Sequence, residues 1–457
     1  MDDSDIDSSG GKEKLGSYET EQLITAVTKI TDLLRKCWGV AGAGIISSNL
    51  ARNMDGKNTV VFNPTVPGKL VYALFGFAGI NDFSHLLRSL DKDVMTLIND
   101  VAQVVHNEVF RWGFGDSGQC NKNLGAAFLM VYRIGDFKEV REKNAKAAEV
   151  IFSQGDTHSA CKADASIDDE MNSIQLASLP GIAAFADRAL LGLLKSFAGI
   201  NREKSVKNWE SDYRLGAGVG AFSVEMSFGM DAGWAVEGAV GSAYKIDATY
   251  LSSHVNMASR MMCACKQYRV AILLSQAVEE LLSKQARETI RHVDTVYVKG
   301  SSTKQRIYTF DARHKGVDFF LNKRSDADAD KEADKYSPAI WSNDQDLREM
   351  RSHVTPEFEN TFTMGLSQYL IGNFGEALTY LKRANEIMIE TVVEDGRLEC
   401  VNAVGNKLLD STSNDEEVMH LRRELGDGPS QTLVAYIEKE KCVAPLGWEG
   451  VRTLTSK

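Results

Sequence analysis

The chain has 457 residues, 43% apolar and 25% charged, with a net charge of −11. That places it among globular proteins large enough for two or three domains. The acidic balance excludes nucleic acid as a principal partner, because no basic excess neutralises phosphates, and it disfavours anionic membrane. The seven cysteines are scattered and odd in number, and Met1 to Ser9 is acidic and polar rather than basic then apolar. No run of about 18 uncharged apolar residues occurs. An intracellular, cytoplasmic protein with reduced thiols and no direct membrane insertion is predicted.

In chain order, residues 1–17 are rich in Asp, Ser, Gly and Lys and predict a disordered tail. Residues 18–66 predict a helical segment in which Leu23, Val27, Ile30, Leu34 and Cys37 follow a 4-3-4-3 spacing. That is the seam of a short coiled coil, or the apolar face of one helix packed on its own domain. Lys69 to Phe77 predicts a buried strand, Leu86 to Phe110 a long helix, and Ala126 to Tyr132 a second strand. Residues 134–217 predict helices with polar breaks, and Leu176 to Ile200 reads as a buried helix despite Asp187, Arg188 and Lys195. Strand and turn signals follow at Phe222 to Trp234 and Gly238 to Lys245. Val255 to Cys265 and Val270 to Ser283 read as helical around a short strand, and Val293 to Lys299 with Arg306 to Phe310 as a hairpin. Strands alternating with helices over 67–311 predict a sheet domain of the α+β class. Residues 312–355 are charged and poor in apolar side chains, which predicts a linker or a surface insertion. Residues 356–457 predict an α-helical region with one tetratricopeptide-like hairpin, from Gly365, Ala377, Leu381 and Ala384 around a turn at Gly372-Asn373.

Four stretches in order, FGFAGINDFS (75–84), NKNLGAAFLMVY (121–132), GMDAGWAVEGAVGS (229–242) and VNMASRM (255–261), with VKGS (298–301) after them, resemble the catalytic domain of class III adenylyl/guanylyl cyclases. The resemblance covers 67–311 with a helical insertion at 134–217. It implies a βαββαβ sheet with helices on one face, flanked here by helical N- and C-terminal extensions. The flanks, including the ending DGPSQTL…APLGWEG, resemble a subgroup of large cyclase-like proteins of ciliated or flagellated protists.

The family holds two Mg²⁺ or Mn²⁺ ions with two aspartates on adjacent strands, and the ions bind the triphosphate and polarise the attacking oxygen. In the pattern F-x-D-I-x-x-F the aspartate position is Gly79, and in N-K-x-x-G-D it is Ala126. Neither residue carries a ligating side chain. Asp82 stands three residues beyond the first position and should leave the chain at a different angle. The other residue set survives. By resemblance, Lys122 contacts the purine, Asn256 orients the ribose, Arg260 stabilises charge on the transferring phosphate, and Lys299 reaches the terminal phosphates. The purine-selecting position is Thr249, or Asp247 if the loop carries an insertion.

Other signals read as structural. Cys263 and Cys265 lack a second pair at metal-binding spacing. His254 and His292 stand alone near a turn and a strand. Gly216 to Gly220 lacks the strand–turn–helix context of a dinucleotide loop. The pair Met261-Met262 reads as core, and Asp326 to Lys335 as a solvated run.

A pseudo-cyclase is therefore expected, acting as a structural or regulatory subunit of a larger assembly, with the subgroup resemblance implying a cilium or axoneme. No cofactor is expected in a homodimer. Mg²⁺ or Mn²⁺ with ATP or GTP enters only if a second cyclase-like chain supplies the aspartates, which would make this chain the purine-side half of a heterodimer. A nucleotide sensor that binds without reacting is a third expectation.

Overall fold

The structure is a computed structural model. It describes residues 20–30, 33, 42, 67–113, 115–152, 174–216, 222–242, 245–298, 303–313, 325–396, 404–411, 413 and 415–454. The expected tail at 1–17 lies outside them. The chain divides into two compact units, residues 1–69 with 236–251 and residues 70–235 with 252–457.

In the larger unit, β1 (Lys69–Ile80) is a nearly continuous apolar run, the pattern of a strand covered on both faces. The expected long helix is instead two, α1 (Phe83–Leu90) and α2 (Val94–Trp112), divided by a 3-10 turn where Asp91 takes a positive φ of 50°. A short strand not expected as such, β2 (Gly118–Leu124), precedes β3 (Ala127–Asp136). Helices α3 (Phe137–Phe152) and α4 (Ile182–Arg202) follow. The two strand signals after residue 222 are one 16-residue strand, β4 (Met226–Gly241), whose residues from Val236 on are counted with the smaller unit, as is β5 (Ile246–Leu251), which pairs with them. Helix α5 (Ser253–Tyr268), strand β6 (Ile272–Ser275), helix α6 (Gln276–Leu281) and the hairpin of β7 (Arg291–Tyr297) and β8 (Lys304–Thr309) complete the domain. The sheet order is β2-β3-β1-β4-β6-β8-β7, extended past β7 by a short C-terminal strand, β9 (Arg452–Thr453). This is the expected α+β class, with βαββαβ connectivity and helical extensions.

Helices cover both faces of the sheet, not one. Ile272 and Leu274 of β6 lie in a core with α2 and α4, whereas Leu273 between them packs with Met261 and Cys265 of α5. Successive side chains of a strand point to opposite faces, so α5 and the α2/α4 pair sit on opposite sides.

The expected linker at 312–355 is a built part of the domain wherever it is described. Helix α7 (Asp326–Asp334), the helical turn Ile340–Asn343 and the short helix α8 (Gln345–Met350) place Ala333, Trp341, Leu347 and Met350 in the main core. The reason lies in the three charges that interrupt α4. Asp187 accepts from Ser283 Oγ (2.5 Å), Tyr336 Oη (2.5 Å) and Trp341 Nε1 (2.9 Å). Arg188 donates to the carbonyls of Trp112 and Ala333 (3.0 and 2.6 Å). Lys195 pairs with Asp344 (2.6 Å) and Asp346 (3.2 Å), all three side chains being buried. Nor is α4 an insertion outside the fold, since it packs along α2 in the main core.

The C-terminal region opens with an antiparallel hairpin of α9 (Pro356–Leu370) and α10 (Phe374–Asp395), turned at Gly372 with φ 90°. Its contact is close because Gly365 lies against Leu381, where an added Cβ would come within 2.9 Å of Cγ. Helices α11 (Glu416–Leu425) and α12 (Gly428–Lys439) follow. Arg291 of β7 joins hairpin and sheet: it is buried between Asp311 (2.5 Å) and Asp427 (2.7 Å) with its guanidinium over Phe358 and Phe362. Burial works against its charge, but the two carboxylates outweigh it and hold the group protonated.

In the smaller unit, residues 20–30 are helical, with Leu23, Val27 and Ile30 exposed. Leu34 and Cys37 of the expected seam lie outside the described residues.

Candidate functional site

The two positions read as lost metal ligands are neighbours. Gly79 is the penultimate residue of β1 and pairs with Ala127 at the start of β3, while Ile80 N–H donates to the Ala126 carbonyl (2.9 Å). The turn before β3 is made by Gly125, with φ 65°. Sequence reasoning thus placed both positions in one corner, and no carboxylate stands at either.

The space at Gly79 is filled from α5. A Cβ added there would lie 2.8 Å from Met262 Sδ and 3.3 Å from its Cε. Ala78 and Ile80 point into the opposite core, so Gly79 faces α5 by strand alternation. Asp82 does not substitute. It caps the start of α1 in a left-handed conformation, its side chain is 84% exposed, and it pairs with Lys266 at 3.4 Å. Among the described residues, no group of three or more His, Cys, Asp or Glu could hold a metal. The residues present at this corner do not fit the two ions that the family's chemistry would require.

Helix α5 carries the second set. Ser252 Oγ caps it by accepting from His254 N–H (2.9 Å), and Arg269 in a left-handed conformation ends it. Met257, Ala258, Met261, Ala264, Cys265 and Tyr268 are buried, which turns Asn256 and Arg260, one turn apart, away from the core. Lys122 lies on β2 opposite Leu129, just past a bulge at Asn121. Bulges re-aim the side chains beside them. The side chains of Lys122, Asn256 and Arg260 make no hydrogen bond or ion pair with any described residue. Lys299 lies outside the described residues. In the smaller unit, half-buried Thr249 pairs across the hairpin with Gly238, and exposed Asp247 forms an ion pair with Lys245 at 3.3 Å.

Sequence reasoning missed the role of Met262, read there as core, and the buried carboxylate Asp231. Asp231 accepts from Ser275 Oγ and bonds His254 Nδ1 (2.9 Å), while Gly233 leaves room for the imidazole ring. His254 is thus structural. So is His292, whose Nε2 bonds the Asp294 carbonyl (2.9 Å). Cys265 is buried against the Phe228 carbonyl (3.2 Å), its thiol pushed up by burial, whereas Cys263 is exposed. A contiguous signal existed for Met262, since a second methionine follows the motif VNMASRM, but its contact with Gly79 spans 183 residues and no spacing reveals it.

A cavity of about 510 Å³ opens beside this corner, lined by Asn81, Asp82, Ser227, Lys266, Arg269 and the Gly426–Pro429 turn among others. No described helix is long and apolar enough to cross a membrane.

Comparison with known proteins bears on the family. A terminal-differentiation-specific adenylate cyclase of Dictyostelium discoideum is 29% identical over 167 residues, covering 36% of this chain but only 6% of that protein. A bacterial light-regulated adenylyl cyclase is 16% identical with a TM-score of 0.39, covering 69% of this chain and 68% of that one. The adenylyl cyclase CyaB of P. aeruginosa is 18% identical with a TM-score of 0.35, covering 53% and 95%. Residues 2–51 match the family described as the RasGEFs all helical domain. Residues 75–312, just over half of the chain, match the family described as the adenylate and guanylate cyclase catalytic domain, and the chain belongs to that family.

Proposed function

We propose that this chain is a catalytically inactive cyclase homologue that serves as a structural or regulatory subunit of a larger assembly. The observation that carries the reading is the corner of Gly79 and Ala126, where neighbouring strand ends present a hydrogen atom and a methyl group in place of carboxylates. A triphosphate without its cations is poorly neutralised, and its attacking oxygen is not polarised. A ciliary or axonemal setting rests on likeness to protist proteins alone. The test is direct: purified protein with Mg²⁺ or Mn²⁺ and either ATP or GTP should form no cyclic nucleotide. Native pull-down from its own cells should recover structural proteins without cyclase activity. Measurable turnover by the chain alone would overturn the reading.

A second reading is favoured by Lys122, Asn256 and Arg260, three polar side chains that no described residue engages. Side chains kept for internal stability would have internal partners. In this reading the chain is the purine-side half of a heterodimer whose cyclase-like partner brings both aspartates. Co-expression with that partner should then yield turnover that Arg260→Ala and Asn256→Ala abolish, and a silent complex would end it. If the chain instead senses nucleotide, ATP or GTP should raise Tm in the wild type and not in Lys122→Ala.

A further inference from the structure

We propose that Met262 is a plug that has converted the first metal position into a packing contact, so that restoring the two carboxylates does not by itself restore a metal site. The proposal deepens the reading of the chain as lacking metal ligands and rests on it. The space that a side chain at position 79 must enter holds the Met262 thioether, 2.8 Å from an added Cβ. That is well inside van der Waals contact, so an aspartate there displaces Met262 before it can reach an ion.

Helix α5 cannot make room by lifting, because two further contacts hold it down. At Gly229 of β4 an added Cβ would come within 2.1 Å of Met262 N and 2.3 Å of Ala258 O, so the helix backbone lies directly on the strand. At Gly233 the His254 ring fills the vacant side-chain volume and is tied to buried Asp231. Only rotation of the methionine side chain can open the position. Methionine is flexible enough to fill such a gap closely, and Met262 is half-buried at the position.

The experiment uses the full chain and Mn²⁺ alone as probe, by isothermal titration calorimetry and Mn²⁺ EPR. Wild type should bind no Mn²⁺ at this site. The variant G79D/A126D should bind weakly or not at all, and G79D/A126D/M262A at least about tenfold more tightly. A Tm cycle tests the plug without metal. G79A should lower Tm by about 1 °C in the wild-type background and by much less in the M262A background, because the atoms it meets are the end of the Met262 side chain. Equal Mn²⁺ affinity of the double and triple variants, or an equal Tm loss from G79A in both backgrounds, overturns the proposal. If neither carboxylate variant binds, the Tm cycle alone decides. Tight site-specific Mn²⁺ binding by wild type would instead overturn the reading of a metal-free chain, while the Tm cycle would still report on Met262.

Discussion

Helices α4 and α5 pack on opposite faces of one sheet, and they treat polar chemistry in opposite ways. On α4, Asp187, Arg188 and Lys195 are buried and each is fully engaged, drawing residues 325–355 into the core. At α5, the corner where the family keeps carboxylates holds glycine, alanine and a methionine thioether. Buried charge is tolerated where its partners come with it, and unpartnered carboxylates side by side are not. Two adjacent aspartates repel unless a cation or a shared proton lies between them.

That contrast can be broken most forcefully at Lys195. Replacing it by Met removes the ammonium shared by buried Asp344 and Asp346 and leaves Arg202, at 3.2 Å, as the cation on Asp346; loss of one partner of a buried pair costs about 3–5 kcal/mol. Urea denaturation should show that loss, and a change under about 1 kcal/mol would mean that the 325–355 segment is not held by charge. The corresponding attack on α5 is Gly229→Ala, whose methyl group would strike helix backbone. Overpacking costs about 1–3 kcal/mol, and a Tm equal to wild type would show that α5 is not seated on β4.

A smaller effect is expected from pH. His353 is pushed down to about 3, first by burial and then by Arg313, with Asp311 acting in the opposite sense, and its Nδ1 has no partner among the described residues. Unfolded, the imidazole titrates near 6.5, so below that pH the unfolded chain takes up a proton that the folded chain refuses. Stability should fall as pH drops from about 6.5 toward 3. His353→Asn should show a shallower fall in Tm over that window; parallel curves would contradict the assignment. The smallest effect is expected where side chains have no internal role. Arg260→Ala and Asn256→Ala should each alter stability by no more than about 0.5 kcal/mol, and a larger loss would make them structural and weaken the heterodimer reading.

The sequence by itself determined the class of fold and which residues stand at the family's metal positions. The strands at 69–77 and 126–132 are legible because apolar runs bounded by turns have few other uses. The absences at Gly79 and Ala126 are legible because each motif is contiguous. The helical hairpin around Gly372 is legible for the same reason. Only the tertiary structure decided that 312–355 is core, since its charges look solvated until Asp187, Arg188 and Lys195 are brought to them across some 150 residues of chain. It alone decided that both faces of the sheet are covered, because a strand buried on both sides reads the same whichever helices do the covering. It also placed the Met262 thioether against Gly79. Packing at that corner depends on how closely α5 approaches the sheet, and glycines on two separate strands set that distance.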